Sequence, residues 1–208
     1  EMIDVEPKAM EVLEQFEKNR PDMIVALFAT FSLGTIVSLF AKRLNVPVVL
    51  WSIPEPDPAG GRLQANSFCA ANMNSHFLWR FHVPYFHVHA DIGSAAAIGG
   101  IGKAVRVVRA MNAVKNMRIG LIGGRVPGFY TSCCDEMMLR AKLGPELKYI
   151  MMLEVMNDAK NISQDELERA LETIKKDAAC YESSEEDLRK SAALYAAVDG
   201  HDDFHVHL

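Results

Sequence analysis

The sequence predicts an α/β fold with two Rossmann-like units, each a parallel sheet flanked by helices. Three observations predict it. Short apolar runs alternate with longer amphipathic stretches along the chain. The run at residues 23–28 is unbroken, which is typical of a strand buried on both faces. Loops rich in glycine, proline or charge follow the apolar runs at 47–51 and 117–122, as expected where strands end.

The first unit has the predicted order α-β-α-β-loop-α-β. Its helices are predicted at residues 3–19, 32–44 and 66–80, and its strands at 23–28, 47–51 and 83–88. Ser32 and the pair Asn66-Ser67 are candidate helix caps. This alternation implies right-handed crossovers and a parallel sheet. The opening strand of such a unit is expected before Glu1, so the chain is interpreted as a fragment of a longer protein.

A stretch of small residues at 91–102 separates the two predicted units. Because alanine and glycine dominate it, we predict a flexible segment and a domain boundary there. The first domain is predicted at 1–92 and the second at 93–200, which leaves 201–208 as a tail.

The second unit begins with a predicted basic helix at 103–115. Strands at 117–122 and 148–154 follow, with a helix at 134–143 between them. Ser163 and Ser184 begin two further helices, predicted to end near residues 179 and 198. An acidic residue stands three positions after each of these serines, which predicts capping boxes.

Composition excludes several classes of function. The 208 residues carry a net charge of −5 and no basic stripe, which argues against a nucleic-acid partner. No apolar stretch reaches the roughly 18–20 residues of a membrane span, and no signal peptide is visible. The four cysteines show no CxxC spacing, so a reducing cytoplasm is the predicted location.

Two nucleotide-binding signatures fail in this sequence. Gly102-Lys103 resembles the end of a phosphate-binding loop, but Ala97 and Ala104 replace its required glycine and hydroxyl residue. The segment Gly123-Gly124-Arg125 after the strand at 117–122 lacks the spacing of a dinucleotide fingerprint. It still predicts a close approach of a ligand, with Arg125 gripping a carboxylate, a phosphate or polyol hydroxyls. The alternative is a tight turn with a solvated arginine.

Two HxH pairs are candidate metal chelates: His87 with His89, and His205 with His207. Alternation along a strand places both histidines of a pair on one face, where zinc or another metal binds such residues. The alternatives are a half-buried strand for the first pair and a disordered tail for the second. A metal-dependent hydrolase built on both pairs is a third, weaker hypothesis for the function.

The segment that leaves the strand at 47–51 carries three prolines, two glycines, Glu55, Asp57 and Arg62. In open α/β sheets, ligands bind beyond the carboxyl ends of the strands. A long polar loop at this position therefore predicts a site, and the alternative is a rigid surface connection.

The same region carries a resemblance to a known family. VPVVLWSIPEP…GGRLQANSFCAANM followed by RIGLIGGRVPGFYTS…DEMML resembles the amino-terminal region of the L-fucose/L-arabinose isomerase family, over residues 22–163. The resemblance implies two α/β domains of a cytoplasmic, homo-oligomeric sugar ketol isomerase. It also implies a manganese ion and carboxylates that move a proton between C1 and C2 through an enediol.

The resemblance implies that the metal ligands lie beyond the second α/β domain. No catalytic or metal-ligating residue is therefore assigned here, and neither manganese nor activity is expected of this chain alone. For sugar binding, Glu55, Arg62 and Asn66 offer hydrogen-bonding groups, and Trp51 offers an apolar ring face. Arg125 completes the predicted substrate-binding set. The alternative function is a stand-alone sugar-binding α/β module.

Overall fold

The computed structural model describes residues 2–56, 61–180 and 182–200. The predicted tail at 201–208, with His205 and His207, lies outside the described residues. The chain divides into two compact units, Glu1–Met111 and Asn112–Leu208. The division falls inside a helix, and the predicted boundary near residue 92 stays a prediction.

The first unit is a three-stranded parallel sheet with helices on both faces, which confirms the predicted fold class. Its strands are β1 (Ile24–Phe28), β2 (Val48–Ser52) and β3 (Tyr85–His89), in the order β1-β2-β3. Its helices are α1 (Glu6–Lys18), α2 (Thr35–Leu44), α3 (Ser67–Arg80) and most of α4 (Ala95–Lys115).

The central strand β2 is buried on both faces, but β1 is not. Alternate residues of the sheet pack with α2 and α3 on one face and with α4 on the other. The cluster on the α4 side is centred on β2 and β3, and Val25 and Leu27 of β1 stay 42% and 41% exposed. The prediction that the apolar run at 23–28 is buried on both faces is therefore wrong.

Helix α4 begins eight residues earlier than predicted, because the small residues at 95–102 are helical. They fit a helix that lies close to the sheet. Ala97 and Ala104 are fully buried, and a Cβ on Gly100 would lie 3.0 Å from Cγ2 of Val88. The expectation of a flexible segment there is wrong, since the small side chains permit close packing.

The second unit contains a two-stranded parallel sheet and helices. Strands β4 (Arg118–Ile122) and β5 (Glu146–Ile150) pair, and the helices are α5 (Glu136–Lys142), α6 (Met152–Asn161), α7 (Gln164–Asp177) and α8 (Glu185–Asp199). Ser163 caps α7 through a complete capping box, and Ser184 accepts the N–H of Asp187 at α8. The predicted strand at 148–154 is too long at its end, because residues 152–154 begin α6.

Candidate functional site at the carboxyl edge of the first sheet

The three strands of the first sheet end level with one another. Phe28 of β1 pairs with Ser52 of β2, and Ser52 pairs with His89 of β3. Helix α3 begins at this carboxyl edge. The buried Ser67 hydroxyl donates to the Phe28 carbonyl and accepts the N–H of Ile53 at 2.9 Å. One side chain thus joins α3 to the ends of β1 and β2.

Glu55 closes the base of the segment that leaves β2. Its carboxylate accepts the backbone N–H groups of Gln64 at 2.9 Å, Ala65 at 3.1 Å and also Asn66. The N–H groups of Ala65 and Gln64 hold the pKa of Glu55 below its ordinary value of 4.5. The carboxylate is therefore ionised near neutral pH, and both of its oxygens already accept hydrogen bonds.

Trp51 is half-buried on the face of the sheet that α4 covers. Its Nε1 donates to the Ala90 carbonyl at 2.9 Å, and the ring packs with the cluster that contains Val49 and Val88. The indole donor is thus engaged by the protein. The role of its ring face in sugar binding stays a prediction.

Asn66 and Arg62 flank the start of α3. Asn66 is the N-cap residue of this helix but adopts a left-handed conformation, with φ of 48°, and its side chain makes no capping hydrogen bond. The cap predicted from its side chain is therefore wrong, and the backbone N–H of Asn66 donates to the Glu55 carboxylate. Arg62 is exposed. Their sugar-binding roles stay predictions.

Arg125 lies in the second unit, in the loop between β4 and α5. Gly123 and Gly124 precede it with φ of 75° and 76°, values that favour glycine. The Arg125 guanidinium lies over the Tyr130 ring at 5.5 Å and donates to Sγ of Cys133 at 3.4 Å. Its predicted role toward a ligand remains untested.

A cluster at the carboxyl edge was absent from the predicted substrate-binding set. The Ser52 hydroxyl lies 2.9 Å from Nδ1 of His89 and 3.4 Å from Nε2 of His87. The Phe68 ring makes edge contacts with both imidazoles, with centroids 5.6 Å and 5.5 Å apart. The HxH alternation predicted that both histidines share one face. Nothing local in the sequence indicated Ser52 or Phe68, which belong to other elements.

Burial, and then the charge of His89, lower the pKa of His87.

The described residues contain no group of three or more His, Cys, Asp or Glu side chains arranged to hold a metal ion. The manganese that the resemblance implies therefore finds no ligand set in this part of the chain. Its four cysteines are exposed, free thiols.

A groove of about 590 Å³ lies on the outer face of α3. Its lining residues are Asn72, Met73, Ser75, His76, Trp79 and Tyr85. Trp79 is 62% exposed and lies against His76.

No helix of the described residues has the length and apolar character needed to cross a bilayer.

Parallel strands, helices on both faces and polar side chains gathered at the carboxyl edge define an α/β protein of the type that binds ligands at this edge. Comparison with known proteins places the chain more closely. The model of the fucose/sulfoquinovose isomerase N-terminal domain matches residues 2–115, and the chain belongs to this family. The resemblance seen in the sequence is thereby confirmed.

Two relatives extend this similarity beyond residue 115. The sulfoquinovose isomerase of Alkalicoccus urumqiensis is 29% identical over 192 residues, which are 92% of this chain and 43% of that protein. The sulfoquinovose isomerase of Priestia aryabhattai is 25% identical over 189 residues, which are 91% of this chain and 42% of that protein. The chain spans less than half the length of these curated relatives.

Proposed function

We propose that this chain is the N-terminal region of an aldose–ketose isomerase. The observation that carries the proposal is the family match over residues 2–115. The names of the relatives point to sulfoquinovose, a sugar that carries a sulfonate group, as the substrate class. The sugar is proposed to bind at the carboxyl edge of the first sheet, with Arg62 and the Asn66 side chain as hydrogen-bonding groups.

We place the catalytic groups outside this chain. The relatives are more than twice as long as the matched segment, and the described residues contain no set of ligands for a metal ion. The carboxylates that move the proton between C1 and C2, and the manganese ligands, would then lie in the remaining part of a longer, homo-oligomeric protein. Four exposed thiols fit the reducing cytoplasm as its location.

The assay that tests this proposal compares two proteins under the same conditions. One is the 208-residue chain, and the other is a longer protein that contains it. We expect manganese-dependent interconversion of sulfoquinovose and its ketose only from the longer protein and not from the 208-residue chain. Conversion by the 208 residues alone would contradict the placement of the catalytic groups.

Arg62 offers a test of the binding surface in the longer protein. Replacing Arg62 by Ala removes a fork of donors and should raise KM or lower kcat, for a loss of about tenfold in kcat/KM. The matched control is Arg109→Ala, which removes an exposed arginine of α4. Unchanged kinetics in the Arg62 variant would remove this residue from the site.

A stand-alone sugar-binding module is the second candidate, because residues of this chain alone form the carboxyl-edge cluster. Calorimetric titration of the 208-residue chain with pentoses and 6-deoxyhexoses tests it. Binding heat together with a thermal shift supports a module. Absence of both across the panel counts against it.

A further inference from the structure

We propose that Ser52, His87 and His89 form a subsite for an acidic group of the ligand, specifically the sulfonate of a sulfonated sugar. This inference rests on the proposed function for the sugar part of the ligand. The three side chains come from the ends of β2 and β3, and Phe68 of α3 contacts both imidazole rings. They lie at the edge of a parallel sheet where ligands bind.

Ser52 fixes the orientation of both imidazoles from the buried side of the cluster. It is fully buried, whereas both histidines are partly exposed to solvent. Its hydroxyl faces Nδ1 of His89 and Nε2 of His87, which leaves Nε2 of His89 and Nδ1 of His87 for other partners. Among the described residues, neither of these two nitrogens has a hydrogen-bond partner in the protein. Protonation of an imidazole puts an N–H on its outward nitrogen, so the protonated pair presents two N–H donors to an oxyanion.

The edge contacts with Phe68 restrict the same two rings. The interplanar angles are 73° for His87 and 79° for His89, so the edge of one aromatic ring meets both imidazoles. A ring held by Ser52 on one side and by Phe68 on another loses little rotational freedom when a ligand binds. Such preorganisation is what a binding site requires.

The electrostatics of the pair couple the binding of an anion to protonation of the imidazoles. The pKa of His87 is lowered by burial and by the charge of His89, so the two imidazoles disfavour double protonation. Ser52 from β2 and Phe68 from α3, which contact the pair, carry no charge. A sulfonate stays ionised at every pH at which the protein is folded, and its charge relieves the repulsion between two imidazolium rings. Binding of the anion should therefore take up protons.

The test is calorimetric titration of the 208-residue chain with three probes that differ at C6. Sulfoquinovose carries the sulfonate, glucose 6-phosphate carries a phosphate, and quinovose carries neither. The variants are the double substitution His87→Asn with His89→Asn, the substitution Arg62→Gln, and His76→Gln as a control on the exposed face of α3. Near-native circular dichroism and thermal stability of each variant show that it is folded.

We expect the double variant to lose at least about tenfold in affinity for sulfoquinovose while its affinity for quinovose is unchanged. We also expect the wild-type affinity for sulfoquinovose to rise as the pH falls from 8 to 6, with proton uptake that the double variant lacks. Equal losses for quinovose, or no loss in the double variant, would overturn the subsite.

The remaining outcomes separate this inference from the proposed function. If only Arg62→Gln discriminates against the sulfonate, Arg62 binds the acidic group and the histidine subsite is wrong. Tighter binding of glucose 6-phosphate than of sulfoquinovose would overturn the sulfonate in favour of a phosphate. If the wild-type chain binds none of the three, the subsite is wrong, and isomerase activity of the longer protein decides separately whether the proposed function holds.

Discussion

Glu55 shows how a residue predicted to bind a ligand can also stabilise its own loop, and its sugar-binding role stays a prediction. Its position after β2 and its charge predicted an acceptor for sugar hydroxyls. In the structure its oxygens accept hydrogen bonds from three backbone N–H groups. The donors are Gln64, Ala65 and Asn66, which lie nine, ten and eleven residues away in the sequence. Pairings over such a loop depend on its conformation, so spacing in the sequence could not reveal them.

Replacing Glu55 by Gln should lower the stability of the folded chain at neutral pH. Because the pKa of Glu55 is lower in the folded than in the unfolded chain, its contribution is complete above the ordinary value of 4.5. That contribution is lost as the pH falls through the lower folded pKa. Urea unfolding at pH 7 and pH 3 should therefore show a larger difference between wild type and variant at pH 7 than at pH 3.

The control for Glu55 is Glu14→Gln, which changes an exposed carboxylate of α1. It should leave stability nearly unchanged at both pH values. A Glu55→Gln variant that matches wild type at pH 7 would show that the three N–H bonds contribute nothing to the fold.

Ser67→Ala should lower the free energy of unfolding by about 1–3 kcal/mol. The change removes the acceptor of the Ile53 N–H and the donor to the Phe28 carbonyl, in a position with no exposure to water. Urea denaturation measures the difference. The matched control is Ser75→Ala on the same helix, where the hydroxyl donates to the nearby Asn72 carbonyl and the expected change is within about 0.5 kcal/mol.

At the scale of elements, sequence patterns predicted most of the helices and strands. Strong signals placed β1, β2, α7 and α8 close to their observed bounds. Two errors have physical causes. The small residues of early α4 resemble a linker by composition, but they pack against β3. The apolar run after β5 resembles more strand, but it supplies the first turn of α6, in which Val155 is buried.

Gly99 and Gly100 of α4 allow a matched test of that packing. Gly99→Ala should stabilise the chain by about 0.5–1 kcal/mol, because alanine favours a helix and nothing lies within 4 Å of the new Cβ. Gly100→Ala should bring no gain or a loss, because its Cβ would meet Val88 at 3.0 Å. Thermal unfolding of both variants measures the difference.

A Val88→Ala background provides the control for this pair. There the close contact is gone, and Gly100→Ala should become stabilising relative to Val88→Ala alone. Equal gains from the two glycine substitutions in the wild-type background would show that α4 does not lie as close to β3 as described.

At the scale of the whole molecule, the sequence predicted the fold class and the family, and both are confirmed by the parallel sheets and by the family match. The carboxyl edge was predicted as the place of a site because parallel strands all end at the same edge of the sheet, where ligands bind in open α/β folds. The cluster at that edge was only half predicted. The HxH alternation predicted that His87 and His89 share one face of a strand. The contacts of Ser52 and Phe68 with them depend on how β2, β3 and α3 pack in the folded chain, so the sequence could not predict them.

Ser67 and Glu55 anchor the two ends of the segment that leaves β2 through hydrogen bonds, and this arrangement has an evolutionary consequence. Ser67 holds Ile53, and Glu55 holds residues 64–66, so the residues before and after the segment are fastened to the same edge of the sheet. Substitutions between these anchors need not disturb strand pairing or the start of α3. The described, exposed residues between the anchors, Gly61 to Leu63, can therefore vary in evolution while the scaffold beneath them is retained.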